Sequence, residues 1–247
     1  MKGVAVIGFK KSGKTTVAEA LIRELAGRGY RVAAVKHAHG GLTLPEADST
    51  RLLEAGAREV VAVSPGLTEH LARRDRELWE ALSLLRGYDY VVVEGFKSRF
   101  PGMRIVAART VEEALKFKGP LVLAYSGPVA RLEPRPELPA PVVDAVSEAG
   151  RLADLVEERA FEVPPALDCG FCRYKSCIGL ATAIARGEAT IKECTVLSSR
   201  VRLVVDGEEI ALNPFVQDIL ANVLGGIVAT LKGVPEKPSR VEITFTP

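Results

Sequence analysis

Cysteine is scarce in this chain, and its scarcity is organised. Of 247 residues only four are cysteine, Cys169, Cys172, Cys177 and Cys194, all within one stretch spaced C-x2-C-x4-C-x16-C. Amides are scarcer still: Asn stands only at 213 and 222 and Gln only at 217, with two Met besides. Such depletion of labile side chains is a habit of heat-stable proteins, and a GC-rich genome explains part of it. Neither sign of charge dominates, since 33 basic residues are interspersed with 31 acidic ones for a net +2. That balance excludes the massed basic face of a nucleic-acid protein. No uninterrupted apolar run reaches membrane-spanning length, and no basic-then-apolar leader opens the chain. The expectation is a cytoplasmic protein without membrane contact. In a reducing compartment thiols confined in this way serve a bound ion or cluster better than structural disulfides. What the chain does have is apolar mass, 47% of residues, enough to bury a core in one large domain with a small one attached.

The first positive signal is Gly8-Phe9-Lys10-Lys11-Ser12-Gly13-Lys14-Thr15, followed by Thr16. Gly3 to Gly8 is a short apolar strand, and from Thr15 to Gly27 the apolar residues Val17, Ala20, Leu21 and Leu25 keep helical spacing. Strand, glycine-rich loop and helix are the setting of a phosphate-binding loop. Gly8 and Gly13 let backbone N–H groups turn inward around phosphate oxygens, and the helix N-terminus adds partial positive charge. In such a loop Lys14 bridges the β- and γ-phosphates and the Thr15 hydroxyl meets Mg²⁺, while Lys11, Ser12 and Thr16 complete the cradle. Lys10 and Lys11 are read as solvated at the rim of the loop, with Lys11 kept among the cradle residues.

Strand and helix signals then alternate. Strands are expected at 31–35, 59–63, 90–93, 104–107, 121–125 and 142–146, with helices near 47–55, 69–85 and 148–158. This alternation predicts an α/β fold, a P-loop NTPase with a mainly parallel sheet covered by helices, whose ligands bind beyond the strand C-termini. Glu94 closes the run Tyr90 to Val93 there, a position from which a carboxylate can hold Mg²⁺ or orient water; a surface loop acid is the plainer alternative. Asp48 is read equally as a Mg²⁺ ligand from a mobile loop or as a helix N-cap. His37 and His39 alternate along a strand end and so cannot readily share one ion.

With those residues in place the chain resembles the molybdopterin-guanine dinucleotide biosynthesis adapter (MobB) family. The likeness is carried by Gly8 to Thr16, Lys36-His37, Asp48-Ser49-x-Arg51 with Ala55-Gly56-Ala57, and Val93-Glu94-Gly95-Phe96-Lys97. It implies GTP and Mg²⁺ binding, weak hydrolysis, dimerisation, and assistance to the guanylyltransferase that attaches GMP to molybdopterin. It also implies that Lys14, Thr15 and Glu94 keep the roles given above. No Asn-Lys-x-Asp element follows Tyr125, so guanine rests on the resemblance alone. The Pro-dense run 132–141 reads as a stiff loop near the base-binding end, and the true joint falls at 160–167. The division expected is a nucleotide domain over 1–160, a cluster segment over 164–197 and a terminal region over 198–247.

Three cysteines crowd into 169–177 and the fourth returns from a distance. Paired C-x2-C knuckles are the habit of structural zinc, whereas three plus one suits a cubane cluster. Residues 178–186 form a small-residue helix stopped by Gly187, with Cys177 at its N-terminus where the dipole favours a thiolate. This segment resembles the [4Fe-4S] domain of carbon monoxide dehydrogenase/acetyl-CoA synthase corrinoid subunits, and the expected ligands are Cys169, Cys172, Cys177 and Cys194; zinc and a redox dithiol stay as alternatives. Further on, 201–205 and 208–212 read as a hairpin around Asp206-Gly207. Asn213-Pro214 then opens a helix with a wide apolar stripe, and a last strand at 240–245 is expected to pack with it. The readings carried forward are a GTP-binding accessory protein of molybdenum or tungsten cofactor maturation with an iron–sulfur domain, an NTP-driven electron-transfer or metal-insertion factor for an anaerobic metalloenzyme, and a non-hydrolysing nucleotide-binding module with structural zinc.

Overall fold

A computed structural model describes residues 1–38, 40–198, 201–210, 212–235 and 238–244; His39 and Phe245, the last residue of the expected 240–245 strand, lie outside that set. Its centre is β1, Lys2–Gly8, whose residues are buried from Gly3 onward. Side chains of a strand alternate between faces, and β1 does so cleanly. Val4 and Val6 join one core, with Val17, Leu21 and Leu25 of α1 (Lys14–Gly27) and Leu152 and Val156 of α5 (Ala149–Arg159). Ala5 and Ile7 enter a second core with Leu78 and Leu82 of α3 (Leu78–Leu84) and with Phe100, Tyr125 and Val129.

Five strands form one parallel sheet around β1. With β2 (Val32–Lys36), β5 (Tyr90–Glu94), β6 (Met103–Ala107) and β7 (Val122–Ser126), the order is β2-β5-β1-β6-β7. All four pairings are parallel, with Val6 opposite Glu94 on one side and Gly8 opposite Ala107 on the other. The α/β reading therefore holds. The chain leaves β1 for β2 on one side and, after β5, crosses to β6 and β7 on the other, so the strand order reverses at β1 and the crevice beyond its C-terminus lies between Glu94 and Ala107, where open α/β sheets bind ligands.

Two elements expected within the first 160 residues take another form. A helix expected over 69–85 is instead β4 (Leu67–Ala72), antiparallel to β3 (Glu59–Ser64) in a separate two-stranded sheet, followed by the short α3. The turn Ser64-Pro65-Gly66-Leu67 takes precedence over the weak helical periodicity, with the Ser64 hydroxyl donating to the Leu67 carbonyl at 3.0 Å. The strand expected at 142–146 is reduced to one bridge, Val142 to Tyr125. Beyond it the buried Asp144 takes over: its carboxylate accepts from Arg131 Nε at 3.0 Å, from the Ser147 hydroxyl at 3.0 Å and from the Val146 N–H at 3.2 Å. Local side-chain bonds of this kind replace a ladder.

The joint clings to the nucleotide region. Gly3 N–H donates to the Phe161 carbonyl and Val163 N–H to that of Met1, both at 3.3 Å, and Val163 is buried in the second core. Next comes α6 (Cys177–Ala185), whose Ala181 is fully buried in the first core. Then follow the hairpin β8 (Leu203–Val205) and β9 (Glu208–Ile210), and α7 (Pro214–Ala229). Asn213 caps α7, accepting from the Val216 N–H at 2.9 Å, with Pro214 at its first position. Residues 240–244 form no strand, and no described helix or strand packs along α7. Among the described residues, no helix is long and apolar enough to cross a membrane.

Burial pushes the Asp144 carboxyl up, but Arg131, the Val146 N–H and Ser147 outweigh it and hold it below the usual carboxylate range. A depressed carboxylate stabilises the fold above its unfolded value and loses that contribution as pH falls through the folded one. Asp144→Ala is expected to cost about 1–3 kcal/mol at pH 7, and the gap from wild type in urea unfolding should narrow as pH drops below about 4.

Candidate functional site

Two arrangements carry chemistry. The first is the loop from Gly8 to Gly13 between β1 and α1. Gly8 has φ 154° and a Cβ there would lie 2.1 Å from the Ala107 carbonyl oxygen and 2.6 Å from Ser12 Oγ. Only glycine lets β1 turn so near β6. On the far side Gly127, after β7, approaches as closely: its Cβ would lie 2.8 Å from the Ser12 carbonyl. The loop is thus wedged from beneath by backbone. Gly13 caps α1 with no side-chain hydrogen bond, and no acid stands in the first turn, so the helix N–H groups and their partial positive charge face outward unopposed. This is an anion cradle by geometry and charge.

Lys14 Nζ donates to the Phe9 carbonyl at 2.6 Å, folded back over the loop. Burial lowers the Lys14 pKa, as do Lys97 and Lys36, while Glu94 opposes them; an anion among these lysines would favour the charged form. At the C-terminal edge Glu94 Oε2 accepts from Thr15 Oγ1 at 3.0 Å and from Lys36 Nζ at 3.1 Å. Thr15 and Glu94, predicted from separate motifs 79 residues apart, meet here. Two hard oxygens side by side suit a hard cation such as Mg²⁺.

Other predicted residues fall elsewhere. The Ser12 side chain is fully buried beneath the loop, with Oγ unpartnered, so it can offer a ligand only its backbone N–H. Lys11 sits at φ 62°, and Lys11 and Thr16 are exposed at the rim. Asp48 is not the N-cap of α2 (Asp48–Glu54): that position is Ala47, and Asp48 is the first helical residue. Its side chain is 94% exposed and pairs with Arg51 at 3.3 Å, so nothing ties it to Thr15 or Glu94. Gly95, at φ 103°, serves close packing on His37, whose Cβ would lie 2.9 Å from an added Cβ; His37 stacks on Phe96 with centroids 4.3 Å apart. Sequence reasoning missed the rim of the site. Lys97 Nζ lies 4.7 Å from the Phe9 ring centroid, and Phe9 meets Phe117 at 5.3 Å. The Glu-Gly-Phe-Lys run held Lys97 in view, but no local signal paired Phe9 with Phe117.

The second arrangement is the cysteine segment, in which all four thiols are free. Ser176 caps α6, accepting from Gly179 N–H at 2.9 Å, and Asp168 Oδ1 accepts from the Cys177 N–H at 2.7 Å. Cys177 and Cys194 are buried; Cys169 and Cys172 are half-buried. Burial pushes the Cys177 thiol up to about 11 and raises Cys194 as well, with lesser contributions from Cys169 and Cys172 on Cys194. Glu193 brings the fourth cysteine home. It accepts from the Thr190 N–H at 3.0 Å and the Tyr174 hydroxyl at 2.9 Å and pairs with Arg173 at 2.9 Å, tying the residue before Cys194 to those after Cys172. Among the described residues, no group of three or more His, Cys, Asp or Glu side chains converges on a single-ion site. A donor set of four thiols within one short stretch suits soft metal and iron–sulfur chemistry.

Both arrangements fall within stretches that match known families. Residues 4–125 match the family described as "MobB: Molybdopterin guanine dinucleotide synthesis protein B", and 165–196 match one described as "Putative Fe-S cluster". A molybdopterin-guanine dinucleotide biosynthesis adapter protein of Bacillus subtilis, named as probable, is 32% identical over 132 residues, spanning 49% of this chain and 75% of the relative. The chain belongs to the MobB family. A protein of Methanocaldococcus jannaschii named "Putative molybdopterin-guanine dinucleotide biosynthesis adapter protein" is 28% identical over 248 residues, 98% of this chain and 97% of the relative. The crystal structure of Bacillus subtilis MobB superposes with a TM-score of 0.53 at 26% identity, covering 64% of this chain and 97% of that one. The shared fold is thus the MobB part, and the iron–sulfur match adds a second region that the shorter MobB structure leaves uncovered.

Gly8→Ala in this MobB-family chain should lower stability by about 2 kcal/mol or more, since the added Cβ meets backbone and cannot be absorbed by a side-chain rotation. Urea unfolding checks this; a variant as stable as wild type would mean the loop is not wedged as described.

Proposed function

We propose that this MobB-family adapter binds GTP with Mg²⁺ at the Gly8–Thr16 cradle, carries a [4Fe-4S] cluster on Cys169, Cys172, Cys177 and Cys194, and serves the guanylyltransferase of molybdenum cofactor assembly or a related maturation protein. The observation that carries the nucleotide half is the meeting of Lys14, Thr15 and Glu94 at one strand edge above a cradle without acidic residues. Lys14 leaves the Phe9 carbonyl to hold β- and γ-phosphate oxygens, and Thr15 and Glu94 hold the cation, which would offset phosphate charge. Asp48, paired with Arg51 in solvent, would join that shell only by moving inward. Glu94 is also the nearest carboxylate able to orient a water, so hydrolysis, where it occurs, is slow and regulatory. The name of the Bacillus subtilis relative supports the pathway, while GTP over ATP is our reading of the family likeness. We divide the chain into 1–160, 164–197 and 198–247.

The cluster gives this adapter a reason to differ from shorter ones. α6 begins at Cys177 and buries Ala181 in the core that also holds Val17, Leu21 and Leu25 of α1, the helix that begins at Lys14. Two ligand-bearing helix N-termini therefore rest on one packed core, and close packing transmits small shifts. Cluster state gates nucleotide or client binding by this route.

Anaerobic purification with iron, sulfide and zinc assays, followed by GTP-versus-ATP competition, tests the proposal. About four iron and four sulfide per chain are expected, with GTP preferred; zinc without sulfide would defeat the cluster assignment. Lys14→Ala should weaken GTP binding by two orders of magnitude or more, on the order of 3 kcal/mol, and leave cluster absorbance intact. Unchanged affinity would remove Lys14 from the site.

A further inference from the structure

Two backbone donors at the start of α6 are already taken. The first turn of a helix leaves its N–H groups without partners in the helix, and their partial positive charge favours a negative charge placed there. In α6 the Cys177 N–H donates to Asp168 Oδ1 at 2.7 Å and the Gly179 N–H to Ser176 Oγ at 2.9 Å. Asp168 is thus the anion held by this helix end, one residue before Cys169 and bonded across nine residues to Cys177. Its backbone is left-handed, with φ 45°, as are those of Ala166 and Lys175, at 62° and 61°. Aspartate and asparagine enter that region more readily than most residues with a side chain, because a short polar group bonds locally. Asparagine would meet the demands of the turn and of the Cys177 N–H alike; aspartate adds a negative charge. Among the described residues no basic side chain pairs with Asp168, and Arg173 is given to Glu193 at 2.9 Å.

We infer that Asp168, a positioning residue acting through Cys177, sets how readily the cluster accepts an electron and holds it toward the oxidised form; the inference rests on the [4Fe-4S] reading above. Cluster potentials follow local charge, hydrogen bonds to sulfur and solvent exposure. Uptake of one electron, from dithionite in the assay or from a low-potential one-electron donor protein, adds one negative charge and makes or breaks no bond. Asp168 opposes that charge by Coulomb repulsion, since its carboxylate is bonded to the backbone of a cluster ligand. It also occupies a helix-end donor that would otherwise offset negative charge at the sulfurs. Because Asp168 is exposed, salt screens the repulsion.

The test uses the intact chain, purified anaerobically, with iron, sulfide and zinc counted before a redox titration followed by electron paramagnetic resonance. Asp168→Asn should keep the wild-type iron and sulfide content and make reduction about threefold more favourable, a rise of roughly 28 mV in the one-electron midpoint. Its gap from wild type should narrow between about 0.1 and 1 M salt. Asp168→Ala, which also gives up the bond to the Cys177 N–H, should in addition release iron to a chelator faster than Asp168→Asn. Glu54→Gln, the same charge lost from the exposed end of α2, should leave the midpoint where it is. A wild-type midpoint in Asp168→Asn overturns the inference. So does an equal shift in Glu54→Gln, or loss of the cluster from Asp168→Asn, which would make the residue purely structural. Zinc without sulfide in the wild-type chain would instead remove the reading on which the inference stands, and the metal count shows this before any titration.

Discussion

The burial of β1 is the constraint from which the rest hangs. Flanked on both edges and covered on both faces, it cannot shift without disturbing two cores, so its C-terminal end is a fixed point. From that point Glu94 is one strand away on one side and Ala107 on the other. Gly8 turns the chain there because any side chain would strike the Ala107 carbonyl. The cradle is therefore held by the sheet and not by its own few hydrogen bonds, which is the rigidity that recognition of a small anion needs.

Charge is apportioned just as narrowly. Around the loop stand Lys14, Lys36 and Lys97 with one close carboxylate, Glu94, which accepts from Thr15 and Lys36 through the same oxygen. Such a site carries an excess of positive charge that an anion would offset. At the cysteine segment the imbalance takes another form. Burial pushes the Cys177 thiol up to about 11 and raises that of Cys194, so binding a soft metal there would displace protons and be linked to pH.

Much of this could be read in advance because the relevant signals are local. The glycine-rich loop, the α1 stripe and the Asn213-Pro214 cap are each written within a few neighbouring residues, and strand runs such as 90–93 and 105–107 are apolar throughout because parallel sheets are buried on both faces. The errors share a cause. At 67–72 and at 142–146 the outcome turned on hydrogen bonds whose partners the pattern does not show: the turn bond between Ser64 and Leu67, and the Asp144 network reaching back to Arg131. The expectation that α7 packs with a terminal strand failed for a related reason, since a stripe says that a face must be covered and not by what.

Sequence by itself determined the ingredients: a glycine-rich turn before a helix, a thiol quartet in three-plus-one spacing, and the apolar runs that make a parallel sheet, because covalent proximity and side-chain period are one-dimensional facts. Tertiary structure alone decided their relations. Thr15 meets Glu94 across 79 residues, Phe9 meets Phe117, Asp48 is left to Arg51 in solvent, and α6 rests on the core of α1. Strand order and close packing fix which distant residues become neighbours, and neither is written in any single stretch of chain.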